Sequence, residues 1–317
     1  MKPIQNAGII GCGKVALSHL KGYQENGINV SAVFDIVADK ARAFAVQANG
    51  AHCYPSAEAL LAESGVDAIS ICTPPALHKE VAIAALQRGI HVLCEKPMAV
   101  SPEECRQIEE AAQQSNAIFM MAFRHRFLPA HRFIKEFIRK ENLGRIILFY
   151  NTFGGPAQKM KDTWFCRKAL AGGGVIMDTT VHGIDLFRYY CGEIRQAVAL
   201  AQRDFDGTDV EDTGIVSVKA ESGTLGMLAG SWNLPTGVAI VDILTERARI
   251  TYDYTNPRII TVVRAGSTEK QEIPIEYTSG FAEQIRHFLD AAASGTVPLV
   301  TAFDGRRAVE IATSILC

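Results

Sequence analysis

The sequence predicts an α/β protein in which a doubly wound parallel sheet comes first and a mostly antiparallel α+β domain follows. Three observations support this prediction. Short apolar runs alternate with helical patterns over the first part of the chain, which is typical of strands and helices that alternate in a parallel sheet. A glycine-rich turn joins the first apolar run to the first helical pattern. From around Arg145 onward, β-rich segments separated by hairpin turns dominate instead.

The apolar runs of the first part lack strict alternation, as expected for strands that are covered on both faces. We predict strands at 7–10, 30–34, 68–72, 90–94 and 117–121, with a short one around Cys53. Helical patterns lie between them, at 14–25, 37–48, 56–63, 76–88 and 102–115. The last of these starts with Ser101 as N-cap and Pro102 at the first helical position, both of which favour helix initiation.

The second part opens with one long helical pattern at 123–144 and then turns to β-structure. We predict strands at 145–152, 195–203, 210–220, 224–232, 238–244, 247–252 and 258–264. A helix at 176–190 interrupts them, and two more, at 281–293 and 303–315, close the chain. We therefore expect one domain at 1–122 and a second at 123–317, with closing helices that can pack back on the first.

The composition argues against several classes of protein. The 317 residues carry a formal net charge of −2 and no basic block, so we expect no nucleic-acid partner. None of the eight cysteines belongs to a C-x-x-C pair or a zinc-type His/Cys cluster, which predicts reduced thiols and no metal site. No apolar run reaches the roughly 18 residues of a membrane span, and Lys14 interrupts the signal-like N-terminal run. We expect a cytoplasmic protein that does not contact membranes.

The glycine-rich turn, "AGIIGCGKVA", has the spacing of a dinucleotide-binding loop. Gly11 permits a tight turn, Gly13 lets the backbone approach a pyrophosphate, and Ala16 allows close packing of helix on strand. Asp35, at the end of the second strand, can accept hydrogen bonds from the ribose hydroxyls of NAD and repel the extra phosphate of NADP. An alternative is that Asp35 only caps a turn or the following helix. We expect NAD as the cofactor.

The next strands also end in polar or proline-rich stretches. Thr73–Pro75 follows the fourth strand, with His78 a few residues on, and Glu95–Pro97 follows the fifth. Ligands of doubly wound sheets lie beyond the carboxyl ends of the strands, so Lys96 is predicted to stand near a bound nicotinamide. The alternative is that the fifth strand simply reaches the surface and that Glu95 and Lys96 are solvated. The sequence leaves open whether Pro97 is cis.

The predicted helix within "AGGGVIMDTTVHGIDLFRYYCG" carries a second candidate site. At helical periodicity, Asp178, His182 and Asp185 share one face, opposite Val181 and other apolar residues. A histidine beside carboxylates is held in one orientation and suits general acid/base catalysis. Two alternatives remain. In the first, Asp178 caps the helix while His182 and Asp185 form a surface pair. In the second, this face binds a metal, although no further cluster of metal-ligating residues supports it.

Together these segments resemble the glucose–fructose oxidoreductase / inositol dehydrogenase (Gfo/Idh/MocA) family. The resemblance rests on "GIIGCGKVA", on "CTPPALHKEVAIAALQRGIHVLCEKPMA" and on "GGGVIMDTTVHGIDLFRYYCG", in that order, with a weaker match in "AFDGRRAVEIATSI". It implies an N-terminal Rossmann domain, a C-terminal domain with a large open sheet, and nicotinamide-dependent oxidation of sugar or cyclitol hydroxyls or the reverse reduction. It implies that Lys96 lies near the reacting hydroxyl and that His182 is the acid/base, with Asp178 and Asp185 beside it.

Two departures from the family pattern concern the substrate pocket and the chain end. Arg124 stands where the family often has asparagine, while Arg126 matches, and the chain stops somewhat early at Cys317, so a short terminal segment is expected to be missing.

The predicted catalytic residues are Lys96, His182, Asp178 and Asp185. The predicted cofactor-binding residues are Gly11, Gly13, Lys14, Val15, Asp35, Thr73, Pro74, His78, Glu95 and Lys96. The predicted substrate-binding residues are Lys96, Arg124, Trp164, Asp178 and His182.

The sequence thus predicts an NAD-dependent oxidoreductase of a polyhydroxylated substrate. Two alternatives keep the bound NAD: a redox-neutral glycosidase of the same family and a non-catalytic regulator. The many strands of the second domain and its few covering helices predict an exposed sheet face, and hence a homodimer or homotetramer.

Overall fold

A computed structural model describes residues 3–315 of the chain. The chain divides into two compact units. Of the described residues, the first unit contains 3–124 and 281–309, and the second contains 125–280 and 310–315. The chain therefore leaves the first unit after Arg124, returns to it at Phe281 and leaves it again after Val309.

The first unit is built on a six-stranded parallel sheet. Its strands are β1 (Asn6–Ile10), β2 (Asn29–Phe34), β3 (His52–Cys53), β4 (Ala68–Ile71), β5 (His91–Cys94) and β6 (Phe119–Met121). They run in the order β3-β2-β1-β4-β5-β6, and each neighbouring pair is parallel. The order reverses at β1, so the carboxyl ends of β1 and β4 bound a crevice of the type in which doubly wound sheets bind ligands.

Helices join these strands, as the predicted alternation requires. They are α1 (Lys14–Glu25), α2 (Ala38–Gln47), α3 (Ala57–Glu63), α4 (His78–Gln87) and α5 (Pro102–Gln114). Ser101 caps α5, since its side chain accepts a hydrogen bond from the backbone N–H of Glu104. Among residues 3–315, no helix combines the length and apolarity that a membrane crossing requires.

The second unit is built on an eight-stranded sheet. Its strands are β7 (Ile146–Pro156), β8 (Ile194–Gln202), β9 (Thr213–Ala220), β10 (Leu225–Ser231), β11 (Asn233–Thr245), β12 (Ala248–Asp253), β13 (Ile259–Arg264) and β14 (Gln271–Pro274). Their order is β14-β13-β12-β11-β7-β10-β9-β8. The pairs are antiparallel except that β7 lies parallel to β10. The predicted fold class is confirmed in both parts.

The helices of the second half depart from the sequence prediction at three points: the first is divided, a short helix at Lys168–Ala171 was not predicted, and a π-helical turn occupies the start of the helix predicted at 176–190. The single helix expected at 123–144 is wrong: a 3-10 turn at Arg124–Phe127 precedes α6 (Pro129–Lys140). Proline at 129 removes a backbone donor and disfavours helical backbone at Leu128, so a new helix starts there. The later helices are α7 (Lys168–Ala171), α8 (Val181–Cys191), α9 (Phe281–Ser294) and α10 (Ala302–Ser314). The short strand β14 had no sequence signal strong enough to predict it.

One face of the eight-stranded sheet packs under α8, and the opposite face carries exposed apolar side chains among polar ones. On the covered face, Phe187 of α8 meets Phe149 of β7 edge to face at a centroid distance of 5.6 Å. On the other face, Leu200 is 82% exposed and Val198 is 59% exposed, and Ile215 pairs with Leu200 across the β8–β9 ladder. Isolated exposed apolar residues are ordinary, but a row of them along paired strands is a surface suited to burial.

The close contact of α8 with β10 predicts a stability effect at Gly226. A Cβ added at Gly226 would lie 2.7 Å from the Phe187 ring, whereas one added at Gly237 of β11 meets no atom within 4 Å. We expect Gly226→Ala to lower the free energy of unfolding by roughly 1–3 kcal/mol through overpacking, and the control Gly237→Ala to change it by under about 0.5 kcal/mol. Urea unfolding of the two variants measures this, and equal stabilities would show that the helix can shift without cost.

Candidate functional site

The glycine loop has the geometry that a dinucleotide requires. Gly11 has a φ of +90°, and a Cβ there would lie 2.6 Å from the carbonyl oxygen of Cys72. Gly13 is exposed, and a Cβ added to it would meet no protein atom within 4 Å. Helix α1 begins directly after it, and no side chain caps its first turn. Free N–H groups at the positive end of a helix, reached over open space, fit a pyrophosphate.

Asp35 is tied to this loop by its carboxylate. Its Oδ2 accepts a hydrogen bond from the backbone N–H of Cys12 at 2.8 Å, and its Oδ1 accepts one from that of Val37 at 2.8 Å. Gly11 also donates its N–H to the carbonyl oxygen of Phe34, so hydrogen bonds join the glycine loop to the end of β2. Asp35 is only half-buried, and each carboxylate oxygen has a second lone pair for a ribose hydroxyl. The Asp35 carboxylate therefore serves the turn and can serve a nucleotide as well.

The loop after β4 supplies the other side of this crevice. The hydroxyl of Thr73 is buried and has no hydrogen-bond partner in the described part of the chain. Its backbone N lies 2.8 Å from the position of a Cβ at Gly11, so the two loops are in contact. A buried hydroxyl left unsatisfied is costly, and a ligand in the crevice would relieve that cost. Lys14, Val15 and Pro74 border the same loops, and Lys14 is exposed.

Lys96 is oriented differently from its neighbours. From His91 to Ala99 every residue is buried except Lys96, which is partly exposed. Glu95 is 8% exposed, and its Oε1 lies 2.9 Å from Nε2 of the fully buried His19 while its Oε2 accepts the N–H of Lys96. The strand therefore does not end in two solvated charges. Glu95 points inward and is paired, and Lys96 is the residue that points out at the carboxyl end of β5.

The protein interior determines the ionisation of Glu95. Burial alone would raise the pKa of the Glu95 carboxyl, but the hydrogen bond and charge of His19 and the charge of Lys96 outweigh it and hold that pKa below its ordinary value. His19 is held in turn, since its Nδ1 lies 2.9 Å from the hydroxyl of Ser70, which also bonds to Tyr23. A buried polar network thus fixes the backbone from which Lys96 projects.

His78 fixes the same segment from the other side. Its Nδ1 lies 3.0 Å from the carbonyl oxygen of Pro97 and its Nε2 lies 2.9 Å from that of Thr73. The Lys96–Pro97 peptide bond is cis. His78 is fully buried, and this burial lowers the pKa of its ring. His78 and Glu95 therefore hold the two crevice loops in place, and their contact with a cofactor stays a prediction.

In the second unit, His182 and Asp178 stand at a junction between two kinds of helix. Residues Ile176–Thr180 form a π-helical turn, and α8 starts at Val181. Glu211 caps this segment, because its carboxylate accepts the N–H groups of Gly174 and Ile176 at 3.0–3.1 Å. π-helical turns re-aim side chains and are frequent at functional sites. From Val175 to Phe187, only Asp178, Thr179 and His182 are partly exposed.

Asp185 has a structural partner that the helical periodicity did not reveal. Its two oxygens accept hydrogen bonds from Nε and the terminal nitrogen Nη2 of Arg126, at 3.0 and 2.6 Å, and Asp185 is 1% exposed. The alternative of a surface pair of His182 and Asp185 is therefore wrong, since Asp185 is buried. A bidentate, buried pair of this kind fixes α8 against the turn that carries Arg126. Asp178 has a different environment, in which its Oδ2 accepts a hydrogen bond from the Thr179 hydroxyl.

Further polar side chains that sequence reasoning did not single out surround His182. The ring of His125 meets that of His182 at a centroid distance of 4.6 Å and an angle of 62°. His125 Nδ1 lies 2.9 Å from the hydroxyl of Tyr254, and that hydroxyl lies 2.6 Å from Nε2 of His131. The segment around Arg126 carried a signal for His125, whereas Tyr254 follows β12 at a distance in sequence that no local pattern bridges.

The remaining predicted substrate residues lie in different settings. Arg124 belongs to the first unit and is half-buried, with its guanidinium 5.4 Å from the ring centre of Phe281. Trp164 belongs to the second unit and is half-buried, with its ring stacked on Phe165 at 3.8 Å. Their role toward a substrate stays a prediction. Within residues 3–315, no group of three or more His, Cys, Asp or Glu side chains could hold a metal ion.

Comparison with known proteins assigns both parts of the chain to one set of family models. Residues 5–123 match the model described as the oxidoreductase family with an NAD-binding Rossmann fold, GFO/IDH/MocA. Residues 131–251 match the model of the GFO/IDH/MocA C-terminal domain.

Relatives of known name align over nearly the whole chain. The myo-inositol 2-dehydrogenase of Thermotoga maritima is 25% identical over 95% of this chain and 92% of its own. The 1,5-anhydro-D-fructose reductase of Ensifer adhaerens is 27% identical over 94% of this chain and 91% of its own. Among solved structures, a levoglucosan dehydrogenase in complex with NADH and levoglucosan superposes with a TM-score of 0.92 at 22% identity, covering 98% of this chain and 96% of that one. This last likeness is one of fold.

The buried His19–Glu95 pair predicts a pH-dependent stability. Because the folded protein holds the pKa of Glu95 below its unfolded value, the ionised carboxylate contributes stability at neutral pH, and this contribution is lost as the pH falls through the folded pKa. We expect His19→Leu to lower the free energy of unfolding by roughly 3–5 kcal/mol at pH 7, since Glu95 is left buried and unpaired. The loss should be smaller near pH 4, because the Glu95 carboxyl of the variant, buried and without His19, can take up a proton there.

Urea unfolding at the two pH values measures this difference. The control is His52→Leu, which removes an exposed histidine of the short strand β3. A His19→Leu loss that is the same at both pH values would contradict the pairing.

Proposed function

Because the chain belongs to the GFO/IDH/MocA family, we propose that it is an NAD-dependent oxidoreductase that transfers a hydride between NAD and a hydroxyl or keto group of a sugar, cyclitol or related polyol. The observation that carries the proposal is the exposure of Lys96 alone within a buried segment, at the carboxyl end of β5. The glycine loop and Asp35 lie at the same edge of the parallel sheet, where β1 and β2 end.

The residues of the first unit fit NAD. Gly11, Gly13 and the first turn of α1 would hold the pyrophosphate, and Asp35 would accept hydrogen bonds from the ribose. Bound NAD supplies the hydride acceptor in the oxidation and the hydride donor in the reverse reaction. Thr73 would offer its buried hydroxyl to the bound nucleotide, which gives that group a partner.

Side chains of the protein would accept the proton of the alcohol and stabilise the negative charge on its oxygen. We assign the proton of the alcohol to His182, which is partly exposed beside Asp178 and can accept it as a general base. Lys96, as an ammonium group, would stabilise the negative charge that develops on the reacting oxygen. Since Asp185 is committed to Arg126, we assign the support of His182 to Asp178 and to the groups behind its ring.

The substrate class follows from the relatives and from the polar character of the site. The two relatives named above act on a cyclitol and on an anhydro-sugar ketone according to their names, so we propose a substrate with several hydroxyl groups. Arg124, where the family often has asparagine, would favour an anionic group such as that of a sugar acid.

A panel assay tests the proposal. Purified protein is incubated with NAD and a panel of sugars, cyclitols and sugar acids, and NADH is followed by absorbance, with His182→Ala as the inactive control. Stoichiometric NADH release with one of the classes is the expected result. Turnover of glycosides without NADH release would instead indicate the redox-neutral glycosidase, and bound NAD without any turnover would indicate a regulator.

We also propose that the protein works in the cytoplasm. Seven cysteines of the described part of the chain form no disulfide, and those at 72, 94, 105 and 166 are buried. Burial raises the pKa of the Cys72 and Cys94 thiols well above the ordinary value, which keeps them protonated and unreactive. Cysteines that form no disulfide suit a reducing compartment. Cys317 lies outside the described residues.

The exposed sheet face predicts a homo-oligomer. Leu225 and Met227 of β10 lie on the same exposed face as Val198, Leu200 and Ile215, beside Ser217 and Lys219 of β9, and a second copy of the chain would bury this face. We expect a dimer or tetramer in light scattering at micromolar concentration, and we expect Leu200→Lys to shift the mass toward the monomer because a charge would be buried in the interface. A monomeric wild type would contradict the proposal.

Asp35 predicts the choice of cofactor. We expect wild type to use NAD better than NADP, and we expect Asp35→Ser to lower the ratio of kcat/KM for the two cofactors by about tenfold or more, because repulsion of the ribose phosphate is removed. The control is Asp39→Ser, which alters an exposed acid in the first turn of α2 that pairs with Arg42. A wild type that prefers NADP would refute the role of Asp35.

Lys96→Met separates a role in the reaction from a role in binding. Methionine keeps much of the bulk and removes the charge, so stabilisation made only in the transition state is lost while ground-state binding is kept. We expect kcat to fall about 10²-fold or more, comparable with the loss of one preorganised donor, while the Kd for NAD changes only a few-fold. Steady-state kinetics and NAD titration by fluorescence measure the two effects.

Lys96→Arg should not restore activity, because a planar guanidinium cannot take the place of a compact ammonium. The control is Lys21→Met on the exposed face of α1. Near-normal turnover of Lys96→Met, or a loss confined to NAD affinity, would remove Lys96 from the chemistry.

A further inference from the structure

Behind His182 lies a chain of hydrogen bonds that we call the histidine–tyrosine chain, composed of His125, Tyr254, His131 and Tyr190. Its members come from different parts of the second unit: His131 from α6, Tyr190 from α8, and Tyr254 from the end of β12. His131 is fully buried and His125 is 5% exposed, so the bonds are formed away from bulk water. In such surroundings each donor must meet an acceptor.

Tyr190, at one end of the histidine–tyrosine chain, determines which group donates in each hydrogen bond of that set. The hydroxyl of Tyr190 lies 3.1 Å from the backbone carbonyl oxygen of His131 and 2.8 Å from Nδ1 of the same residue. A carbonyl can only accept, so Tyr190 donates its single proton there and must accept the N–H at Nδ1 of His131. Burial raises the pKa of Tyr190 well above its ordinary value, so the hydroxyl keeps this proton.

The direction passes on to His125. A neutral His131 with its proton on Nδ1 has a lone pair on Nε2, so Tyr254 donates its hydroxyl proton to that nitrogen at 2.6 Å. The Tyr254 oxygen then accepts from His125, whose Nδ1 lies 2.9 Å away. His125 is thereby fixed as the tautomer with its proton on Nδ1, and its Nε2 carries a lone pair.

The ring so fixed is in contact with His182. The two rings meet in a T-shaped arrangement at 4.6 Å between centroids. The other rings around His125 are Phe153 of β7, at 5.3 Å, and the chain members Tyr254 and His131. The nearby charges of Arg126 and Asp185 neutralise each other in their ion pair. His131, His182 and Tyr254 are thus the titratable groups that the described ring contacts bring against His125.

We propose that His125 is a positioning residue for His182 and the acceptor of its proton, with its basic nitrogen selected by the histidine–tyrosine chain. The role toward His182 rests on the function proposed above. In the oxidation, His182 takes the proton of the alcohol, and its imidazolium then gives one N–H proton to Nε2 of His125. One N–H bond breaks at His182 and one forms at His125, which becomes an imidazolium and still donates through Nδ1 to Tyr254. The reverse transfer serves the reduction.

Nuclear magnetic resonance of the full chain labelled with 15N-histidine tests the tautomers without any substrate. Long-range proton–nitrogen correlations should show His125 and His131 with the proton on Nδ1. In Tyr254→Phe, which keeps the ring and removes the hydroxyl, His125 should lose this preference while His131 keeps it. A proton on Nε2 of neutral His125 or His131 in the wild type would overturn the proposed direction.

A titration of the same sample tests the link to His182. Nε2 of His125 and the ring of His182 should take up protons in coupled steps, with Nδ1–H of His125 retained throughout. Independent titration of the two rings would overturn the proposal. Wild-type inactivity on the whole substrate panel would refute the proposed function instead, and the spectra would still decide on His125.

Kinetics of Tyr254→Phe provide the functional measurement. We expect kcat to fall about tenfold, the scale of one lost hydrogen bond in the transition state, with KM changed by less than about twofold. The pH dependence of kcat should also change in Tyr254→Phe, because the proton of His125 is no longer fixed on Nδ1, and a merely structural role of Tyr254 would lower kcat without changing the pH profile. The control is Tyr189→Phe, which removes the hydroxyl of a neighbouring tyrosine that is not part of the histidine–tyrosine chain. An unchanged kcat in Tyr254→Phe, or a loss of kcat with an unchanged pH profile, would overturn the role.

Discussion

The candidate site of the first unit depends on the pairing of one buried carboxylate. Glu95 sits at the end of a central strand where a charge would be costly, and His19 of α1 reaches it from the helix that also opens at the glycine loop. A single helix therefore contributes its N-terminus toward the nucleotide and, about one and a half turns later, the partner that holds Glu95 inside. Lys96 follows Glu95 in a bend just beyond the last residue of β5, and its side chain is partly exposed. The paired Glu95 thus helps to fix the backbone from which Lys96 projects.

The second unit also contains a buried carboxylate, and its partner is an arginine. Asp185 lies within the buried stretch of α8, and Arg126 binds both of its oxygens, which leaves neither charge uncompensated. The pair connects the 3-10 turn before α6 to the helix that carries His182, while Glu211 holds the π-helical turn at the N-terminal end of that helix. His182 is therefore carried by a helix held at two points, and rigid support of this kind is what a group that transfers a proton in a defined geometry requires.

Much of the fold was predictable because its signals are local. The limits of α1 agree with the predicted 14–25, and β1 and β5 fall within a residue of their predictions, since glycine, proline and cap residues mark their ends. The prediction at 123–144 was wrong because the apolar periodicity continues across Pro129, and the backbone effect of the proline outweighs it. In the site, the glycine loop, Lys96 and His182 stand in recognisable motifs. The partners of Asp185 and the neighbours of His182 could not be predicted, because Arg126 and Tyr254 meet them through long-range packing of the sheet and helices.

The parallel pairing of β7 with β10 has a consequence for how the protein reaches its native state. Strands that run side by side in the same direction cannot be joined by a tight turn, so the chain between them must make a long excursion, and here that excursion includes α8 and two other strands. The centre of the large sheet can form only after these distant segments have come together. Such high contact order slows folding and leaves strand edges exposed for longer during synthesis. We therefore expect the second unit to fold more slowly than the first. The helix that carries His182 is among the segments that must pack before the centre of its sheet can form.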